Sequence, residues 1–170
     1  MNAPASSRLD LVTTWGVIRL CADGGRLLRC ELPRKRTAPT GALRITAHRF
    51  VGAPENRRVM QRAEKFIRAC LQGRPPPATP PLAAAVGGPF TKRVLAALQK
   101  IPRGATLTYG DLARQLGTPR AARAVGTACG TNPLPLFIPC HRVVAAGGTL
   151  GGFSAGLVWK KFLLAKESAV

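Results

Sequence analysis

The chain has 170 residues and a mass of 18.0 kDa, with 46% hydrophobic and 19% charged residues, which supplies a packed core and excludes a wholly disordered or fibrous protein. Against 26 Lys and Arg stand only 7 Asp and Glu, a net charge of +19; such a field calls for a polyanionic partner, nucleic acid first, or serves solubility alone. No stretch reaches the length of a membrane span, since Leu82 to Phe90 is broken by Gly87, Gly88 and Pro89, and the start, Met1 to Leu9, lacks the apolar centre of a secretion signal.

Five cysteines at irregular spacings, Cys21, Cys30, Cys70, Cys129 and Cys140, are the usage of a soluble protein in a reducing compartment with free thiols. Residues 16–32 read as a β-hairpin around Asp23-Gly24-Gly25. With Gly24 as the centre of symmetry, Ile18 faces Cys30 and Leu20 faces Leu28, and Cys21 lies on the opposite face from Cys30. A disulfide or zinc site shared by Cys21 and Cys30 is thereby disfavoured, and no metal is expected.

Residues 55–72 carry Val59, Ala63, Phe66, Ile67, Cys70 and Leu71 at helical spacing with most of the arginines off that stripe, and Gly73 ends the segment. Cys70 is expected in the core. Residues 74–89 hold six of the chain's 15 prolines, a composition foreign to helix interiors and central strands. The expected division is therefore an N-terminal sheet-plus-helix domain over 1–73, a linker over 74–89 and a mostly helical domain over 90–170, an α/β (α+β) chain overall.

Phe90, Val94, Leu95, Leu98 and Ile101 mark the next helix. Thr108 and Asp111 form a capping box that opens a helix running to Leu116, where Gly117 closes it. Thr118 and Pro119 then serve as N-cap and first-turn proline of a helix from Arg120 to about Cys129. Two short helices around a tight glycine turn, residues 109–129, make a helix-turn-helix. Such pairs also occur as plain core packing; the charge favours the DNA-binding reading.

Asn132-Pro133-Leu134-Pro135 breaks the chain, and Leu136-Phe137-Ile138 leads into Pro139-Cys140-His141-Arg142-Val143. A cysteine entered from buried chain and followed by histidine and arginine has the means for thiolate chemistry. Neighbouring side chains of an extended segment point to opposite faces, so a water is the natural relay between Cys140 and His141. A basic imidazole needs an orienting carboxylate, and after residue 90 the choices are Asp111 and Glu167. Asp111 is taken by a cap, which leaves Glu167, provided a final helix near residues 157–166 folds back. A buried thiol beside an incidental histidine is the bland alternative.

The run RAVGTACGTNPLPLFIPCHRVV, residues 123–144, resembles the signature of the O6-alkylguanine-DNA alkyltransferases, with similarity extending from Phe90 to Glu167. That resemblance implies direct reversal of DNA damage: the alkyl group of O6-alkylguanine, or of O4-alkylthymine, moves once and irreversibly onto the protein's own cysteine, without a cofactor. It implies Cys140 as acceptor, His141 as base acting through water, Glu167 as its orienting carboxylate and Asn132 as a hinge. It implies Arg123 as the side chain filling the gap left by the extruded base, Tyr109 as a helper of its rotation, and DNA contacts from Thr108, Ala122 and Ala124. The implied pocket comprises Tyr109, Pro135, Val143, Phe153 and Ser154. The implied partner is double-stranded DNA, entered through its minor groove with the alkylated guanine flipped out, the protein being a monomer of the bacterial cytoplasm and nucleoid.

Many relatives carry tyrosine where this chain has Phe153, and Cys129-Gly130-Thr131 replaces a stretch that often reads Met-Arg-Gly. The N-terminal half is expected, by analogy, to be a small ribonuclease-H-like layer. Three rivals stand beside this reading: a lesion-binding relative that transfers nothing, though such proteins replace the acceptor that Cys140 provides; a cysteine hydrolase built on Cys140, His141 and Glu167; and a basic DNA-binding protein with an inert thiol.

Overall fold

The computed structural model describes residues 6–34 and 42–168. Strands β1 (Ser7–Thr13), β2 (Gly16–Asp23), β3 (Arg26–Glu31) and β4 (Ile45–Val51) form an antiparallel sheet in the order β3-β2-β1-β4. Period-two alternation drives one face inward: Ser7, Leu9, Leu11 and Thr13 of β1 and Ile18, Leu20 and Ala22 of β2 are buried. The inner pair of that face, Leu9 and Leu11, shows the alternation in sequence, although Ser7 and Thr13 at the ends hide it. Ser7 is buried because its hydroxyl receives Ala53 N–H and Asn56 Nδ2–H, each at 3.0 Å.

The hairpin is real but its expected register is corrected. The loop has two residues, Gly24 and Gly25, at φ 52° and 70°, the pair of left-handed conformations that a two-residue turn requires. Asp23 therefore faces Arg26 and Ala22 faces Leu27, and a bulge then brings Cys21 opposite Arg29 and Leu20 opposite Cys30. Leu28 turns outward as a result, while Leu27 and Cys30 point into the core. Cys21 stays on the outer side, and every cysteine is free.

A short 3-10 turn, Pro54–Asn56, leads into α1 (Arg57–Leu71), whose Val59, Met60, Ala63, Phe66 and Ile67 pack on the sheet. Cys70 is half-buried at the edge of that face rather than inside it. Residues 81–83 of the proline-rich segment lie along β3: Leu27 N–H donates to the Pro81 carbonyl at 2.9 Å and Ala83 N–H to the Leu27 carbonyl at 2.8 Å. Together with Cys30 N–H on the Pro133 carbonyl at 2.8 Å, this covers an edge strand that would otherwise expose unpaired backbone.

Beyond it come α2 (Pro89–Leu98), the two-residue strand β5 (Leu107–Thr108), α3 (Tyr109–Gln115), α4 (Ala122–Gly130), β6 (Val143–Val144), parallel to β5, and α5 (Leu157–Ser168). The capping box on α3 is complete: Asp111 N–H donates to Thr108 Oγ1 at 3.0 Å and Thr108 N–H to Asp111 Oδ2 at 3.1 Å. The second helix begins later than the sequence suggests. Its N-cap is Ala121, because Thr118 to Ala121 close a turn through Ala121 N–H on the Thr118 carbonyl at 2.9 Å, and Thr118 Oγ1 donates back to Ala113. The two halves share one continuous apolar cluster. Trp15 meets Trp159 edge-on with centroids 5.1 Å apart, Phe66 stacks on Phe137 at 4.9 Å, and Trp159 Nε1–H donates to the Pro33 carbonyl at 2.7 Å. Among the described residues no helix is long and apolar enough to cross a membrane.

Candidate active site

The segment from Asn132 to Arg142 is folded tightly around one side chain. Asn132 is buried; its Oδ1 accepts Leu134 N–H at 3.0 Å, and its Nδ2 donates to the Ile138 carbonyl at 2.8 Å and to Cys140 Sγ at 3.1 Å. One amide thereby closes the loop and touches the thiol that the loop carries. Leu136 takes a left-handed φ of 76°, a strained conformation for a branched residue that its burial in the core secures.

Cys140, His141 and Arg142 form a 3-10 turn, which corrects the extended geometry expected for Cys140 and His141. The successive side chains therefore diverge around a turn instead of flipping across a strand. Cys140 reaches a pocket of about 260 Å³ lined by Tyr109, Gly126, Cys129, Gly130, Gly152, Phe153 and Ser154. Two of the residues expected there lie elsewhere. Val143 is fully buried in the parallel pairing with Leu107, and Pro135 lines a neighbouring groove on the β3 side that shares Gly130 and Ser154 with the pocket.

His141 is buried on the far side of the turn. Its Nε2 lies 3.0 Å from Glu167 Oε1, so in the neutral ring Nε2–H donates to the carboxylate. Nδ1 then carries the lone pair, and it is buried without a hydrogen-bond partner among the described residues. Burial lowers the His141 pKa below its ordinary value, and the Glu167 contact opposes that only in part; the ring is neutral at pH 7 and able to take a proton.

Glu167 is the focus of the site's donors. Burial alone would raise its pKa, but the hydrogen bonds from His141 and Arg142 outweigh it and hold the carboxyl at about 2. Arg142 Nε and Nη2 reach the two carboxylate oxygens at 2.9 and 2.8 Å, and Gly104 N–H adds a contact at 3.4 Å. With His141 neutral, the guanidinium is the charge that keeps Glu167 ionised. Asp111, the other carboxylate weighed from sequence, caps α3 and pairs with Arg114.

Sequence reasoning missed Lys160. Its side chain is fully buried, with Nζ donating to the carbonyls of Val143 at 2.6 Å and Gly152 at 3.1 Å and standing 5.7 Å from the centre of the Tyr109 ring. The signal was available: Lys160 shares a helical stripe with Leu163 and Glu167, and a cation on a buried stripe is rare unless it has work to do. Burial raises the Cys140 pKa, whereas the Asn132 contact and the Lys160 charge pull it down. Cys129, also in the pocket wall, is pushed up to about 12 by burial and stays a neutral thiol. Burial likewise raises the Tyr109 hydroxyl, which remains protonated.

The residues expected to meet DNA surround an open groove of about 830 Å³ between α3 and α4. Thr108, Tyr109, Ala122 and Arg123 line it, and Tyr109, Gly126 and Gly152 belong to both groove and pocket. Arg123 is exposed in the first turn of α4, and Ala124 beside it is exposed as well. Among the described residues no cluster of three or more His, Cys, Asp or Glu side chains is placed to hold a metal.

Residues 89–169 match the family model of the 6-O-methylguanine DNA methyltransferase DNA-binding domain. A methylated-DNA–protein-cysteine methyltransferase of Mycolicibacterium paratuberculosis is 53% identical over 81 residues, 48% of this chain and 49% of the relative. Its counterpart in Methanocaldococcus jannaschii is 58% identical over 78 residues, 46% of this chain and 45% of the relative. These sequence matches thus span about half the length of the curated relatives. Similarity in structure runs further. The crystal structure of Mycobacterium tuberculosis OGT in complex with DNA superposes with a TM-score of 0.73 at 33% identity, covering 91% of this chain and 88% of that one. That of Mycobacterium tuberculosis O6-methylguanine methyltransferase gives 0.71 at 30% identity, over 96% and 93%.

Proposed function

The chain belongs to the methylated-DNA–protein-cysteine methyltransferase family, and on that premise we propose that it repairs O6-alkylguanine in DNA by taking the alkyl group onto Cys140. The observation that carries this reading is a nucleophile in a pocket with a proton acceptor behind it: the Cys140 thiol in the wall of the 260 Å³ pocket, and His141 held on Glu167 with its Nδ1 lone pair free. At that volume the pocket is below the range of about 300–1,000 Å³ typical of sites for drug-sized ligands. It suits a single extruded base and excludes a duplex.

In this mechanism a water passes the thiol proton from Cys140 to His141 Nδ1, Glu167 steadies the imidazolium that forms, and Lys160 and Asn132 stabilise the thiolate. Sulfur attacks the alkyl carbon; the S–C bond forms as the C–O6 bond breaks, and the electron pair leaves with the purine. The departing base needs a proton. Phe153 has no hydroxyl to give, so Tyr109, the chain's single tyrosine, kept protonated by burial, is the donor in the pocket wall. The thioether has no route back to thiol, so each molecule acts once. O4-alkylthymine presents a similar alkoxy carbon and is a second substrate class.

The DNA partner is supported by the charge of +19 and by the groove that opens into the pocket across Tyr109, Gly126 and Gly152. We read α3 and α4 as a helix-turn-helix lying in the minor groove, with Thr108, Ala122 and Ala124 against the backbone and Arg123 in the space of the flipped nucleotide. The sheet and α1 make the ribonuclease-H-like layer, and the proline-rich residues 74–89 mark the boundary between the halves. The same reading places the protein as a monomer in the bacterial cytoplasm, on the nucleoid, with no cofactor. Incubation with a duplex containing O6-methylguanine followed by intact mass tests it: one methyl group is gained, and peptide mapping puts it on Cys140. A hydrolase would return to its starting mass, and a DNA-binding protein with an inert thiol would not change.

A further inference from the structure

Glu167 lies in the last turn of α5, where a helix frays and where a negative charge opposes the helix dipole. Its position on His141 therefore needs an anchor beyond the helix itself, and the loop after α2 supplies one. Arg103 Nη2 donates to the carbonyl of Lys166 at 2.7 Å and to that of Gly73 at 2.6 Å, and Nη1 reaches the carbonyl of Arg74 at 3.3 Å. Those carbonyls belong to the end of α5 and to the chain just past the end of α1, so one guanidinium sits on two helix C-termini at once. The fit is close. Gly73 adopts a φ of 73°, and a Cβ there would stand 3.2 Å from the Lys166 carbonyl oxygen. The residue after Arg103 completes the grip, since Gly104 N–H points at Glu167 Oε2.

We propose that Arg103 is a positioning residue for alkyl transfer: by tying the Lys166 carbonyl to those of Gly73 and Arg74, it seats Glu167 on His141 and makes the end of α1, in the N-terminal half, part of the support of the reaction. The inference rests on the alkyl-transfer reading above. It adds to that reading a residue that touches neither the pocket nor the groove. It also assigns the N-terminal half a task in the chemistry, because of the three carbonyls that Arg103 holds, that of Gly73 closes the N-terminal half and that of Arg74 opens the linker after it.

The test compares Arg103→Ala, Glu167→Gln and the double variant in single-turnover transfer from an O6-methylguanine duplex across pH. His141 is faced by Glu167 and Lys160 from α5 and by Arg142 from its own turn, and of these only Glu167 favours its charged form. Unseating Glu167 lets burial and the two cations depress His141 further, which moves the acid limb of the rate profile to lower pH while lowering the rate. Arg103→Ala is expected to slow transfer by about tenfold, the scale of a modest misplacement of a catalytic group, and to shift the acid limb in the same direction as Glu167→Gln. In the Glu167→Gln background it should cost less than about twofold, because the two act on one contact. Arg103→Lys, which keeps a cation at the helix ends, should recover most of the rate and guards against a failure of the alanine variant to fold. An equal loss in both backgrounds, or a lower melting temperature with an unmoved pH profile, would overturn the proposal. The pH dependence of Cys140 alkylation by iodoacetamide, measured without DNA on the same variants, keeps the two readings apart. If the wild type takes no methyl group from DNA, alkyl transfer is wrong, while a matching shift for Arg103→Ala and Glu167→Gln still upholds the seating role.

Discussion

Glu167→Gln keeps the shape of the side chain and removes its charge. In the folded protein the carboxylate, 9% exposed, accepts from His141 Nε2 at 3.0 Å, Arg142 Nε at 2.9 Å, Arg142 Nη2 at 2.8 Å and Gly104 N–H at 3.4 Å. Its pKa is held at about 2 against an ordinary 4.5, and a difference of that size corresponds to about 3 kcal/mol of folding stability. Because the folded value is the depressed one, the stabilisation is fully present above pH 4.5 and is lost as the pH falls through about 2. The glutamine variant lacks it at every pH. At pH 7 the variant should therefore be less stable by about 2–3 kcal/mol, a fall of about 5–10 °C in melting temperature for a chain of this length. Thermal melts of both proteins at pH 7, 5, 4 and 3 should show that gap narrowing steadily below pH 5. The transfer rate should fall by about 10–100-fold with its acid limb moved to lower pH, since His141 loses the group that favours its protonated form. A stability gap that does not change between pH 7 and pH 3, or the absence of a gap at pH 7, would refute the assignment of Glu167 as an ionised, charge-paired group.

Three further outcomes are expected. Cys140→Ser should abolish transfer while leaving affinity for undamaged duplex nearly intact, because the thiol contributes chemistry and not phosphate contacts; methyl found on Cys129 or Cys70 in the wild type would contradict this. Arg123→Ala should lose far more repair rate on paired duplex than on free O6-benzylguanine, which needs no unstacking, and equal losses on the two substrates would remove its role at the vacated base. Lys160→Met leaves the carbonyls of Val143 and Gly152 without their donor, at a cost of about 2–4 kcal/mol. It should also move the iodoacetamide reactivity of Cys140 to higher pH, and an unmoved profile would mean that the buried cation does not act on the thiol.

Much of the local structure was legible in sequence because it is set by neighbours along the chain. The stripe of Val59, Ala63, Phe66 and Ile67 found α1, and Thr108 with Asp111 announced the start of α3 three residues apart. Cys140 and His141 stood out from residue type and setting, whereas Asn132 came forward only through the family resemblance. Counting carboxylates after residue 90 was enough to bring Glu167 forward, since the cap had already claimed Asp111.

Packing decided what the local pattern could not. The hairpin register followed from a two-residue glycine loop and a bulge, and the outward turn of Leu28 depends on that bulge, which is a tertiary fit and not a propensity. β4 was invisible because an edge strand with one weakly covered side has no alternation to read. The directions of Cys140 and His141 came out differently because a 3-10 turn replaced the extended chain, and that turn is held by Asn132 from eight residues away. Lys160 enters the site only because α5 folds back with one face under the pocket floor, bringing a cation to carbonyls 8 and 17 residues distant. Residue type sets which chemistry is available, whereas distance in space sets which groups share a proton or a charge, and those distances exist only once the chain has paid the entropy of closing its loops.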